Sequence, residues 1–97
     1  MYDTMIPKRG KTTSPGELLL EEFLKPLNMS TRELSFHIGV KQKKIDDIIN
    51  GATKITPEIS WLLSYAFGTS PEFWAHSQAN YDLSCKRPNR IPRIKSK

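Results

Sequence analysis

Residues 30–51 read STRELSFHIGVKQKKIDDIING, and this stretch decides the fold. Ser30 is a strong N-cap, because its hydroxyl can accept from a free N–H in the first helical turn. Glu33 follows three residues later and can reach back to the Ser30 N–H, completing a capping box. Leu34 and Ile38 then stand one turn apart on one face. Gly39 falls where a helix end wants a residue at positive φ, which glycine adopts without steric cost. Val40 can plug the corner. A second helix is predicted from Gln42 to Ile49, with Ile45, Ile48 and Ile49 as its inward stripe. Asn50-Gly51 ends it.

The spacing carries more than the helices do. Leu34, small Ser35, Ile38, Gly39, Val40, Ile45 and Ile48 supply apolar, small, apolar, glycine and three further apolar positions. That is the register of a helix-turn-helix, whose two helices cross closely and steeply. With the isoleucines inward, Lys43, Asp47 and Asn50 face outward, flanked by Lys44 and Asp46. Lys41 and Gln42 lie at the N-terminal tip, the end that enters the DNA major groove in this motif. Two amphipathic helices of an ordinary bundle would not explain why turn glycine, small residue and apolar register all agree.

At 97 residues the chain makes one domain, with a modest core that dimerisation would help. No apolar run approaches a membrane span, and the N-terminus lacks the apolar stretch of a signal peptide. The lone Cys85 cannot form an internal disulfide, which suits a reducing cytoplasm; near the end of the last predicted helix it reads as a small apolar filler. The net charge of +5 is uneven. Residues 1–13 carry +2, residues 86–97 carry +6 with no acid, and residues 14–85 hold six basic and nine acidic side chains. Bulk charge therefore argues little about nucleic acid. The local cluster Lys41, Lys43 and Lys44 on the second motif helix argues more.

Residues 1–13 lack periodicity and read as a flexible arm. Ser14-Pro15-Gly16-Glu17 starts a helix with a second capping box and Pro at its first position. Leu18, Leu19, Phe23 and Leu24 give it a buried face, and Glu17, Glu21 and Glu22 an acidic one. Pro26 is expected to stop it. After Gly51, Thr56-Pro57-Glu58 opens a fourth helix carrying Ile59, Leu62, Leu63, Ala66 and Phe67, closed by Gly68. Ser70-Pro71-Glu72 opens a fifth, carrying Phe73, Trp74, Ala75, Gln78, Tyr81 and Leu83. No segment alternates with period two for long enough to suggest a sheet. The fold class is all-α, with a five-helix domain over residues 14–83 and a basic tail over 84–97. That tail is expected to be disordered when free, able to touch phosphates or merely to solubilise the chain.

No catalytic or metal constellation stands out. His37 and His76 have no partner at ligand spacing, and His37 is expected to be packed. There is no glycine-rich phosphate loop. Adjacent pairs such as Glu21-Glu22 and Asp46-Asp47 diverge on a helix instead of converging on an ion. The expectation is a protein that is not an enzyme and needs no metal or cofactor.

Taken together, SPGE at 14–17, EEFL at 21–24, the motif closed by Asn50-Gly51, FGTSPEFW at 67–74 and QANYDL at 78–83 resemble the HigA-type antitoxins of the Xre/Cro helix-turn-helix superfamily. The motif alone indicates the superfamily, and the FGTSPEFW and QANYDL stretches indicate the HigA type. The resemblance implies a five-helix, lambda-repressor-like domain in a bacterial cytoplasm, on the nucleoid when DNA-bound. It implies a homodimer that binds a palindromic operator of its own operon and neutralises a RelE-like mRNA endonuclease, the HigB toxin. Carried over by position, it assigns operator contacts to Gln42, Lys43 and Lys44, within a DNA face that also holds Lys41, Asp46 and Asp47. Ser30, Thr31 and Arg32 would meet phosphates, and the last helix would contribute to the dimer. Trp74 and Tyr81, seven residues apart on one face of that helix, fit either a core edge or an isologous interface, and with Gln78 they are expected to help form the dimer contact. Ser35, Asp46 and Ser77 depart from the Ala, Ser and Leu frequent in the family. Two other functions fit the same scaffold: a stand-alone repressor without a toxin, and an interaction module that does not bind DNA.

Overall fold

A computed structural model of the chain describes residues 13–86 together with Pro88, Arg93 and Ile94. Five helices follow one another, and no strand occurs among the described residues. They are α1 over 15–27, α2 at Thr31–Ile38, α3 at Gln42–Ile49, α4 at Pro57–Phe67 and α5 at Pro71–Cys85. Most of arm 1–13 and of tail 84–97 lies outside the described residues. Ser84 and Cys85 instead complete α5, two residues past the expected boundary.

The helix starts obey the cap chemistry. Ser14 and Ser30 each take part in a complete capping box, with Glu17 and Glu33. Thr56 and Ser70 cap α4 and α5 through their hydroxyls, each followed by Pro. Gly39 at φ 73° and Gly68 at φ 75° end α2 and α4 in the left-handed region, where a Cβ is costly.

Pro26 does not stop α1. The helix widens into a π turn at Leu20–Leu24, where the Lys25 N–H reaches back to the Leu20 carbonyl, and continues through Lys25–Leu27. The wider turn moves carbonyls away from the proline ring, so the residue that cannot donate is absorbed as a bulge. The real stop is Asn28, left-handed at φ 54°, with the Met29 N–H closing on the Leu24 carbonyl at 2.9 Å.

Every helix supplies the core. Leu18, Leu19 and Leu24 come from α1, Leu34 from α2, Ile45 and Ile48 from α3, Ile59 and Leu63 from α4, and Trp74 from α5. Ile55 joins them from the α3–α4 connection. Each such side chain contributes about 1.5–3 kcal/mol on burial. An aromatic cluster fills one end: the Phe23 ring lies 5.0 Å from Phe67 and 5.1 Å from Trp74, centroid to centroid. Ile49, expected inward, is half-buried at the core's edge. His37 is exposed, not packed, because Leu34, Ser35 and Ile38 already define the inner face of α2 and His37 falls outside that arc.

Where α1 crosses α3, backbone meets backbone. A Cβ added to Gly16 would overlap the Ile48 carbonyl oxygen and lie 2.7 Å from the Ile49 Cα. Gly16 is thus fixed by space, and it holds the C-terminal end of α3 against the start of α1.

Candidate nucleic-acid interface

The motif places the starts of α2 and α3 side by side. The Gly39 N–H bonds to the Ser35 carbonyl at 2.9 Å, and the Val40 N–H to the same carbonyl at 3.2 Å, which folds the chain sharply back. The Gln42 side-chain amide then donates to the Thr31 hydroxyl at 3.3 Å, joining the first residues of the two helices. Two helix N-termini therefore open on one surface, and each carries partial positive charge from its free N–H groups. At α3 this is undiluted, since its N-cap Lys41 makes no side-chain cap bond.

Around that surface stand the residues expected to meet DNA. Lys41, Gln42 and Lys43 are exposed, Lys44, Asp46 and Asp47 half-buried, and Thr31 half-buried beside exposed Ser30 and Arg32. Lys43 pairs with Asp47, one turn further along α3, at 3.3 Å. The lysine end of that pair is 84% exposed, so water screens it and a phosphate can compete for the ammonium. Asp47 thus answers Lys43 within the helix. The Arg32 guanidinium sits 5.7 Å above the centroid of Phe36, a ring left 75% exposed on α2. Ser30 is committed to its capping box, accepting from the Glu33 N–H at 3.0 Å, so its hydroxyl serves α2 first. Ser35 is buried, and its hydroxyl donates to the Arg32 carbonyl at 2.7 Å, which removes any cost of a polar atom at that small position.

Of the residues assigned to a dimer contact, Trp74 turns inward, while Gln78 and Tyr81 are half-buried. Trp74 is fully buried, and its indole N–H donates to the Thr69 hydroxyl at 2.7 Å, the bond a buried indole needs. It therefore belongs to the core of its own chain, where the rings of Phe23, Phe67 and Phe73 pack around it. Gln78 accepts from the Ile55 N–H at 2.8 Å. Tyr81 is half-buried, and its hydrogen bond with Cys85 is the main cause that pushes the phenol pKa up. Cys85, expected as a filler, is exposed at the last turn, beyond the reach of the core.

Two features were not visible in the sequence pattern. One is a polar clasp linking the α3–α4 connection to α5, formed by Lys54, Ile55, Gln78 and Asp82. The Lys54 ammonium holds the Asp82 carboxyl below its ordinary pKa, chiefly by their hydrogen bond, with Gln78 adding to it against some desolvation. The other is an exposed aromatic face on α4, where Trp61 and Tyr65 lie with ring centroids 5.8 Å apart. Only spacing along α4 could have hinted at the second; nothing in a linear pattern signals the first.

The helix-turn-helix family (HTH_3) matches residues 20–74 of the chain. An uncharacterized HTH-type transcriptional regulator of Haemophilus influenzae is 40% identical over 73 residues, covering 75% of this chain and 68% of that one. Antitoxin HigA-1 of Vibrio cholerae is 34% identical over 75 residues, covering 77% and 70%. This chain belongs to the helix-turn-helix family, among its HigA-type antitoxins. Solved HigA structures share the fold. An addiction-module antidote protein of the HigA family from Coxiella burnetii superposes with a TM-score of 0.73 at 36% identity, over 77% of this chain and 82% of that one. Antitoxin HigA of Pseudomonas aeruginosa, solved with the higBA promoter, gives 0.75 at 29% identity, over 77% and 82%. The chain spans about two thirds of the length of the first curated relatives it matches, 68% and 65%. Among the described residues no helix is long and apolar enough to cross a membrane, and no group of His, Cys, Asp and Glu could hold a metal ion.

Proposed function

We propose that this HigA-type protein is the antitoxin of a type II toxin–antitoxin module, a homodimer that binds a palindromic operator of its own operon. The observation that carries the DNA half is the joined start of α2 and α3. Gln42 bridges to Thr31 there, the α3 N-terminus has no side-chain cap, and Lys41, Lys43 and Lys44 surround it. Dipoles and lysines attract phosphate, while Gln42 can donate and accept together, as adenine N6 and N7 require. The Pseudomonas aeruginosa relative described with its higBA promoter supports the same use of the motif. A single recognition helix covers a short half-site, so two copies related by two-fold symmetry suit a palindrome.

The partner in this reading is a basic RelE/HigB-like mRNA endonuclease. The exposed α1 face holding Glu21 and Glu22 offers it negative charge, with Glu21 shared with Lys25 at 2.9 Å. Complementary charge of this kind mainly speeds association. A stand-alone repressor is the second reading, supported by the relatives described as transcriptional regulators. Co-expression with the neighbouring open reading frame separates the two. An antitoxin restores growth and co-purifies with the neighbour's product, and Glu21→Lys with Glu22→Lys weakens that capture. Binding to upstream DNA without any captured or neutralised product supports the stand-alone repressor instead.

A further inference from the structure

We propose that Gln78, on α5 and remote from the DNA face, is a positioning residue that sets the pose of the recognition helix α3. The proposal rests on the DNA-binding reading above and adds a residue to it. The chain leaving α3 is anchored at two levels. First, the Ala52 and Thr53 N–H groups both return to the Asp47 carbonyl of α3, at 2.8 and 3.3 Å. Second, the next two residues are tied to α5. Lys54 pairs with the Asp82 carboxylate at 3.2 Å, and the Ile55 N–H donates to Gln78 Oε1 at 2.8 Å. The Gln78 amide nitrogen then donates to the other Asp82 oxygen at 3.0 Å, closing the ring of contacts.

This clasp lies where regular structure offers the backbone no ladder. Residues 50–56 form neither helix nor strand, yet Ile55 inserts a buried side chain into the core. Its N–H needs a partner, and Gln78 supplies one. Asp82 orients Gln78 by accepting from its amide nitrogen, which turns the amide oxygen towards Ile55. Without that bond the connection relaxes towards water, and the Asp47 end of α3 loses its tether to α5. Base reading depends on side-chain placement within the groove, whereas phosphate attraction depends mainly on charge. Loss of the clasp should therefore damage specific binding and spare nonspecific binding.

The test measures anisotropy with two fluorescent duplexes spanning about three helical turns. One comes from the region directly upstream of the gene encoding this chain, and the other is its shuffled counterpart. The variants are Gln78→Leu, Gln78→Glu, and the double variant Gln78→Glu with Asp82→Asn, each first confirmed as folded by circular dichroism. The double variant reverses donor and acceptor between positions 78 and 82 while keeping an acceptor for the Ile55 N–H. We expect Gln78→Leu and Gln78→Glu to lose roughly five- to hundredfold in upstream-duplex affinity, the scale of one lost base contact, with shuffled-duplex affinity unchanged. The double variant should regain most of it. Should Gln78→Leu not fold, Gln78→Glu and its rescue carry the test alone. Equal losses on both duplexes, or none in a folded variant, overturn the proposal. A wild-type chain that does not distinguish the duplexes strikes the DNA-binding reading itself, and this proposal with it.

Discussion

The C-terminal end of α3 is gripped by backbone and core, while its N-terminal end meets solvent with polar side chains. At the gripped end, Ile48 is buried, Gly16 of α1 presses on Ile48 and Ile49, and the following connection is tied to α5 through Lys54 and Ile55. At the free end, Lys41, Gln42 and Lys43 are exposed, and among the described residues their tertiary polar contact is a long 3.3 Å bond from Gln42 to Thr31. One helix thus separates two tasks. Close packing is concentrated at one end, and exposed charge at the other. Changes to the packed residues of the gripped end, Ile48 and Gly16, should then act first on folding, and changes at the free end on binding alone.

The largest break in this contrast is Ile48→Ala. A buried isoleucine cut to alanine costs about 2–5 kcal/mol, since the cavity cannot fully collapse. Urea denaturation should show a loss of that size, and an unchanged midpoint would mean that α3 does not face the core as described. Gly16→Ala comes next. Its Cβ would meet the backbone of α3, not a yielding side chain, so a loss of about 1–3 kcal/mol is expected, with α3 pushed off its seat. A stabilised variant, the usual result of replacing glycine in an unhindered helix, would refute the close crossing.

The smallest expected stability effect is at Lys54. Its ammonium lowers the Asp82 pKa in the folded chain relative to the unfolded one. The resulting stability is present above the unfolded value of about 4 and is lost as pH falls through the lowered folded value. Lys54→Met should remove much of that acid-dependent loss, leaving the part due to Gln78 and Lys86. The effect is modest because the Asp82 side chain is 33% exposed. Urea midpoints collected from neutral pH down into the acid range would read it, and identical acid profiles would mean the pair is not formed in solution.

Local chemistry made most of the fold legible. Caps at Ser14, Ser30, Thr56 and Ser70 and glycine stops at Gly39 and Gly68 depend on neighbours a few residues away, and the sequence displays those neighbours. Pro26 misled because a π turn depends on where the widened helix packs, not on the proline alone. Trp74 stayed open between core edge and dimer surface for a related reason: periodicity identified its helix face, but not which neighbour covers that face. Phe23 and Phe67 cover it, across gaps of 51 and 7 residues, and the indole turns to Thr69. The polar face of α3 was legible because outward positions follow once the isoleucines are set inward. The Gln78 clasp was not, since it joins residues 23 positions apart in an irregular segment. His37 shows the limit at single-residue scale, because one step around α2 decides between core and solvent.

The free end is tested most directly by the salt dependence and sequence preference of operator binding, compared across wild type, Gln42→Ala and Lys44→Ala. A readout role for Gln42 predicts relaxed preference at one position per half-site and a loss of roughly 1–3 kcal/mol on the operator alone. A phosphate role for Lys44 predicts weaker binding to all sequences and a log–log salt slope reduced by about one. The gripped end should stay silent in both, with folding midpoints unchanged. If both variants bind every duplex as wild type does, while removal of residues 86–97 abolishes binding, the basic tail holds the DNA and the assignment of α3 is contradicted.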